Sequence, residues 1–458
     1  MTESARKHAR YERDLDFVQC LVEDVEKGIG DVHPILNIYA IAGFGKSTFL
    51  GKVEEKFRRK QPTTLVHVAD FKGEHEGGYE LDSMLRRMVA DLQNGLPRWA
   101  QLDLEATELT GLVDQLKTMT RYAVENGKTA LVLVDDYDQL PPGTRVLFDE
   151  AVLSRLVKKS ERAVVILTSE QELPFTDRLD LKVHLKTRPL SKFTEDDIKI
   201  TTPQYTDLAE EILKWTGGVS ELVKFLIREL GRHSIGTLED YYAHKKELLK
   251  GAYREHVDAV VFNGLPEPAR QAMPILSLLR RFDVSTLRSI LPQIIPDFES
   301  YTTRQYLELI DQLGSRVQWR DEGGYALDDA LRTILSNYIQ AYDQPTYRKV
   351  HRVAERVYKG WLQGRYRNYY LREMLYHKVA QETLSPEIDF PSIVQLVSVV
   401  LLEYIRGECK PGPCDNGDID ELRTFKESLE QDKDLNKFIS SEVWEAIRAK
   451  ETSVACGG

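Results

Sequence analysis

Between residues 7 and 27, Leu15, Val18, Leu21, Val22 and Val25 recur at three- and four-residue intervals among charged positions, the spacing of one apolar helical face. Gly28 and Gly30 end that helix. The pattern then changes to short aliphatic, β-branched runs at Ile35–Ala42, Thr64–Phe71, Thr129–Val134, Ala163–Thr168 and Lys182–Leu185. Between them Leu81, Met84, Leu85, Met88, Val89 and Leu92 return to helical spacing, as do Leu112, Val113, Leu116 and Met119. Strands that are apolar throughout are covered on both faces. Their alternation with amphipathic helices predicts an α/β domain with a mainly parallel sheet over residues 1–190.

From Ser191 the pattern is helical, with Thr206–Thr216 running into Gly217-Gly218 and Ser220–Gly231 following, which predicts a small helical domain over 191–255. A third region, 256–343, holds helices and then Val317-Gln-Trp319 and Tyr325-Ala-Leu327 on either side of a Gly-Gly turn. Helices followed by a short hairpin predict a winged helix. Residues 344–450 read as an all-α C-terminal region with no fixed repeat period, and 451–458 as a flexible tail. Trp361, Tyr366, Tyr369 and Tyr370 in that region read as core aromatics.

A chain of 458 residues exceeds one core and fits two to four domains. Its net charge of −11 gives no bulk cationic field for nucleic acid or an anionic membrane, so neither is expected as a direct partner. No apolar run has the length of a membrane span and the first residues lack the core of a signal peptide, so a cytoplasmic location is expected. Of four cysteines only Cys409 and Cys414 are close, around a Pro-Gly turn. They make half a zinc site at best, and an ordinary loop is the simpler reading. His184 reads as a core or surface histidine in an apolar strand, and Cys456-Gly457-Gly458 as a frayed terminus.

The chemistry concentrates after the first strand, in Ala40-Ile-Ala-Gly-Phe-Gly-Lys-Ser-Thr-Phe-Leu50. Strand, glycine turn, Lys-Ser and helix is the context of a phosphate-binding loop. In such a loop backbone N–H groups surround the β-phosphate, Lys46 bridges the β and γ oxygens, and the Ser47 hydroxyl binds Mg2+. Gly43 and Gly45 let the backbone approach the phosphates, whereas Ala40 stands where the pattern opens with glycine. About ninety residues later Leu131-Val-Leu-Val-Asp-Asp136 ends an apolar strand in two acids. Asp135 would hold Mg2+ through its water shell, and Asp136 stands where a base or water-orienting carboxylate is wanted; otherwise the acids only terminate the strand. With no Asn-Lys-x-Asp guanine reader in the chain, ATP or ADP is the expected nucleotide.

This set of motifs resembles the STAND class of P-loop ATPases, which includes the NACHT and NB-ARC signalling proteins, over about residues 8–340. Arg13-Asp-Leu is similar to the family's hydrophobic-Gly-Arg-Glu segment, with Glu12 at the glycine. The stretch from Ala40 to Leu50 resembles G-x-G-G-x-G-K-T-T-L, with Ala40 and Ala42 at two glycines and Ser47-Thr48 at the hydroxyl pair. Leu133-Val-Asp-Asp-Tyr-Asp138 resembles the Walker B segment, and Val165-Ile-Leu-Thr-Ser169 the sensor strand, where Glu170 replaces the usual arginine. Pro189-Leu-Ser191 and Thr216-Gly-Gly-Val-Ser220 resemble the small helical domain's turn and its G-x-P segment, with Ser220 at the proline. Asp328 stands at the histidine that contacts phosphate in many relatives.

The resemblance implies nucleotide contacts from Arg13, Ala42, Gly43, Phe44, Gly45, Lys46, Ser47 and Thr48, magnesium held by Ser47 and Asp135, and catalysis by Lys46 and Asp136. It implies a switch in which exchange of ADP for ATP opens the core, promotes homo-oligomerisation and engages a sensor or effector partner, with slow hydrolysis as reset. Two alternatives stay open. One is an AAA+-like ATPase that remodels a client, needing an arginine such as Arg155 or Arg162 offered to a neighbour; the other is a scaffold that keeps nucleotide without hydrolysing it.

Overall fold

The computed structural model describes residues 9–28, 34–60, 64–69, 129–156, 163–173, 178–252, 264–320, 323–362, 367–384, 388–407 and 416–455, with isolated positions between them. Cys409, Cys414, Tyr366, Arg162, the terminal Cys-Gly-Gly, the side chain of Arg155 and most helical positions read between 81 and 119 lie outside this set. The chain divides into two compact units, Met1–Asn263 and Gly264–Gly458.

In the first unit, helix α1 (Ala9–Lys27) precedes strand β1 (Ile35–Tyr39), helix α2 (Lys46–Lys60) and β2 (Thr64–Ala69). Strand β3 (Thr129–Val134), helix α3 (Pro142–Phe148), β4 (Ala163–Ser169), the short turn α4 (Leu179–Lys182) and β5 (Leu185–Pro189) complete the sheet region. The five strands lie in the order β2-β3-β4-β1-β5, and each pair is parallel. Every residue of β3 and β4 is buried, as their unbroken apolar runs require of central parallel strands. The polar exception in β1, Asn37, is fully paired: Nδ2 donates to Ser169 Oγ at 2.7 Å, and Oδ1 accepts from Leu173 N at 3.1 Å. Because β1 and β3 both run parallel to β4 between them, the loop after β1 and the acids after β3 emerge at the same end of the sheet, where ligands of parallel α/β sheets bind.

Two strand boundaries differ from the sequence reading. Strand β1 stops at Tyr39 rather than Ala42, because the chain turns there: Ala40 N still reaches Ser169 O at 3.0 Å, but Ile41 O takes Phe44 N at 3.4 Å. The run expected over Lys182–Leu185 is replaced by helical turn α4 and a strand that starts at Leu185. Leu181 N and Lys182 N both bond Arg178 O, so the buried Leu181 closes a turn. His184 therefore sits in the turn, its carbonyl accepting Ile35 N at 3.1 Å, and the half-polar Leu-Lys-Thr-Arg-Pro segment forms the sheet edge.

Helices α5 (Glu195–Thr201), α6 (Ala209–Thr216), α7 (Ser220–Arg232) and α8 (Leu238–Ala252) follow in the same unit. Thr194 opens α5 with a capping box to Asp197. Gly217 and Gly218 end α6 with φ of 59° and 75°. At Gly218 a Cβ would lie 2.7 Å from Phe193 O, so the turn closes only around glycine. Its carbonyl accepts Phe193 N at 3.1 Å, joining the Pro189-Leu-Ser191 segment to the Thr216–Ser220 turn.

The second unit begins with α9 (Glu267–Leu276), α10 (Val284–Ile294) and α11 (Thr303–Leu313), then the antiparallel pair β6 (Val317–Trp319) and β7 (Tyr325–Leu327). Phe282 and Tyr325 exchange both backbone hydrogen bonds at 2.8 Å, a single bridge that ties the segment before α10 to the hairpin. This is the winged helix expected from the alternation of Val317/Trp319 and Tyr325/Leu327. On the exposed face of α11, Arg304 pairs with Glu308 at 2.8 Å. Asp328 accepts from Ala330 N and Leu331 N at 2.9 and 3.2 Å, capping α12 (Asp329–Tyr342).

Helices α13 (Gln344–Trp361), α14 (Arg367–Glu382), α15 (Phe390–Gly407), α16 (Asn416–Gln431) and α17 (Ser441–Ala455) complete this unit. Of the aromatics expected in the core, Trp361, Tyr369 and Tyr370 are half-buried and pack their rings around Tyr358, which is fully buried. Beside it His351 and His377 place their Nδ1 atoms 2.7 Å apart between α13 and α14, and burial holds both imidazoles neutral.

Candidate nucleotide-binding site

The loop from Ala40 to Gly45 is shaped by two residues with positive φ, Gly43 at 81° and Gly45 at 89°. Ala40 and Ala42 are not among the described residues with positive φ, so alanine meets the backbone demand at both places where the pattern carries glycine. Gly45 has a second reason to lack a side chain. A Cβ there would lie 2.6 Å from the Tyr11 hydroxyl, which donates to Gly45 O at 3.3 Å.

Lys46 opens α2 and is buried, its Nζ donating to Ala40 O at 2.9 Å and lying 3.7 Å from Asp136 Oδ1. The lysine thus bridges the loop of β1 and the acid turn of β3. Asp135 Oδ1 accepts the Thr168 hydroxyl at 2.5 Å and Asp136 N at 3.2 Å, while Thr168 Oγ1 also accepts Asp136 N at 2.9 Å. Strand β4 therefore sets both acids through one threonine. Asp138 completes the group, its Oδ2 accepting Glu170 N at 2.9 Å. Burial, reinforced by the Glu170 charge, raises its pKa above the ordinary aspartate value.

The helical part of the unit closes against the same loop. Glu221 N donates to Gly43 O at 3.1 Å, and its carboxylate lies over the Gly43 Cα, 3.2 Å from where a Cβ would stand. Ser220 is fully buried beside Gly45, and its Oγ finds no hydrogen-bond partner among the described residues.

Of the residues expected at the site, Gly43, Phe44, Gly45, Lys46, Asp135 and Asp136 come together, with Ala42, Ser47 and Thr48 on the same loop and first helical turn. Ser47 and Thr48 are exposed. Arg13 is exposed on α1; its neighbour Asp14 is buried and accepts Arg188 Nε and Ser191 N, both at 3.1 Å, fixing α1 to the sheet edge. Tyr11, Thr168, Asp138, Ser220 and Glu221 join the site without having been singled out for it. Thr168, Asp138 and Ser220 fall inside segments that carry the family resemblance, whereas Tyr11 and Glu221 lie outside them.

Serine hydroxyl, aspartate carboxylates and phosphate oxygens form a hard donor set suited to Mg2+. Among the described residues no three His, Cys, Asp or Glu side chains are grouped to hold a metal. Gly45→Ala places a Cβ against Tyr11 at a φ alanine rarely adopts; strain of about 1–3 kcal/mol should lower nucleotide affinity about tenfold or more. Ala40→Gly should leave it within about twofold, since residue 40 needs no special φ. Titration with a fluorescent ADP analogue separates the two, and equal behaviour would refute this account of the loop.

No protein-family model matches the chain, and no curated protein matches it. Solved structures do. Cdc6p from Pyrobaculum aerophilum is 14% identical with a TM-score of 0.37, covering 72% of this chain and 94% of that one. The Signal Transduction ATPase with Numerous Domains (STAND) protein with a tetratricopeptide repeat sensor from Pyrococcus horikoshii is 12% identical with a TM-score of 0.33, covering 95% and 67%. A chain of Drosophila ORC bound to AT-rich DNA and Cdc6 is 12% identical with a TM-score of 0.27, covering 74% and 98%. At these scores the likeness carries no weight of its own, and the functional reading rests on the loop, the acids and the strand order.

Proposed function

We propose that the first unit is a P-loop nucleotide-binding module for ATP and ADP with Mg2+, and that the chain works as a switch of STAND type. The observation that carries this reading is the convergence of Lys46 with Asp136, from loops two strands apart, on a glycine-shaped turn that opens a helix. Ser47 and Asp135 would hold the magnesium, which neutralises phosphate charge when bound. Lys46 binds the β and γ oxygens; Asp136, beside it, orients the attacking water.

The contact between Glu221 and Gly43 supports the switch reading. A nucleotide phosphate entering the loop meets the Glu221 carboxylate as a like charge, so its arrival biases the turn at the start of α7. ATP adds the γ-phosphate charge to what ADP already brings, and that added charge near Glu221 is what would move the helical part and favour assembly of copies and capture of a sensor or effector protein. Glu170, at the place of a cationic sensor, favours slow turnover.

Native mass spectrometry of the purified chain, with ADP and then with ATP and Mg2+, tests this. Bound nucleotide in both conditions and larger assemblies only with ATP support the switch. Absence of nucleotide removes the proposal, and rapid turnover without any change of mass replaces the switch by a conventional ATPase.

A further inference from the structure

The turn that carries the acids is itself held from behind. Asp136 occupies the left-handed region at φ 49° and ψ 46°, which a non-glycine residue keeps only when its surroundings enforce it. Tyr137–Gln139 then forms one tight turn, with Gln139 N donating to Asp136 O at 2.9 Å and Leu140 N to Tyr137 O at 3.2 Å.

Two side chains fix this turn. Arg145, on α3, donates from Nη2 to Asp138 O at 3.0 Å and to Leu140 O at 3.1 Å, clasping two carbonyls on either side of Gln139. Tyr137 is buried against Phe148 and Phe175, and its hydroxyl donates to the Asp149 carboxylate. Asp149 begins a π-helical turn, Asp149–Leu153, that interrupts the helix running on from α3. Such insertions are rare and frequent at functional sites.

We propose that Asp149, acting through Tyr137 and assisted by Arg145, positions the Asp135–Asp138 turn so that its carboxylates meet a magnesium–nucleotide. The proposal rests on the nucleotide-binding reading above. These three are positioning residues, not catalytic ones, because they act on the acids' backbone and ring anchor. Outer partners of this kind change metal affinity or activity about 10- to 100-fold when lost.

Asp149 also gives the device a pH signature. Burial pushes its carboxyl up to about 6, against the opposing pull of the Tyr137 hydroxyl and the Arg178 and Arg145 charges, with Asp180 adding to the rise. Above pH 6 Asp149 accepts as a carboxylate; below it the neutral acid loses the charge assistance of that bond.

The test measures the affinity of the full chain for a fluorescent ADP analogue in EDTA and in Mg2+, above and below pH 6. Tyr137→Phe and Asp149→Leu should reduce the affinity gained from Mg2+ about 10- to 100-fold, while affinity in EDTA stays within about twofold. Asp149→Asn, whose neutral carboxamide oxygen still accepts from Tyr137 but without charge assistance, should hold the reduced gain of the protonated acid at every pH, between wild type and Asp149→Leu, with no step near pH 6. Tyr137→Phe deletes one oxygen, so the fold is retained for the comparison. A wild-type gain in Tyr137→Phe, with or without a lower Tm, overturns the proposal while leaving nucleotide binding intact. A wild-type chain that binds no ADP overturns both readings.

Discussion

Lys46→Ala should reduce affinity for Mg-ATP by about two orders of magnitude or more and should also change the protein without ligand. The first effect follows from losing the one charged donor seen to reach from α2 to both the loop carbonyl and the acid turn. Truncating one partner of a buried, hydrogen-bonded charge pair costs about 2–5 kcal/mol. The second effect follows from what stays behind. Asp136 is buried and left-handed, and without the ammonium 3.7 Å away its carboxylate lacks that compensation. Lys46→Ala should therefore lower the melting temperature of the first unit, and Lys46→Ala/Asp136→Asn should recover part of it by removing the stranded charge. Affinity restored by Asp136→Asn is not expected, because the missing interaction is with phosphate. Calorimetric titration with ATP and Mg2+, alongside thermal melts, reads both effects; unchanged binding in Lys46→Ala would end the phosphate-loop reading.

The two halves of this site were unequally visible in the sequence. Gly43, Gly45 and Lys46 were legible because a phosphate loop dictates residue types at fixed spacing, and Asp135-Asp136 because they end an apolar strand. Tyr11, Thr168, Glu221, Tyr137 and Asp149 were not, because each acts through a partner distant in the chain. Thr168 meets Asp135 only once β4 lies beside β3, and Glu221 meets Gly43 only once the Gly217-Gly218 turn has closed on Phe193. Ala40 illustrates the converse. The sequence marks it as a departure, yet the chain at residue 40 requires no glycine conformation. Long central strands were placed well because burial on both faces leaves an unmistakable apolar run. Edge strand β5 was misplaced because an edge tolerates the mixed polarity of Leu-Lys-Thr-Arg-Pro, and the more apolar Leu179–Leu185 stretch competes with it in the sequence.

In the second unit, Arg280→Ala should destabilise that unit by about 3–5 kcal/mol. Arg280 follows α9 and is almost wholly buried. It reaches Glu373 on α14 through Nη2 at 2.9 Å and Asp432, just after α16, through Nη1 at 2.6 Å, while its guanidinium lies 4.7 Å from the Tyr376 ring. Burial alone would lower the arginine's pKa, but the two carboxylates more than offset it and raise it, so the cation is bound more firmly here than in water. Alanine leaves Glu373 and Asp432 buried without that cation. Asp432 also accepts Leu435 N at 3.1 Å, so its displacement loosens the turn that follows α16 as well. Lysine keeps the charge but is a single compact donor and cannot serve both carboxylates as the planar fork does, so Arg280→Lys should fall between wild type and alanine. Hydrogen exchange on the full chain separates the units: α14 and the Asp432 turn should lose protection in Arg280→Ala, while β3 and β4 keep theirs. Equal protection of α14 in wild type and Arg280→Ala would show that the apolar contacts of Tyr358, Leu371 and Leu375, rather than the ion network, hold these helices to the winged helix.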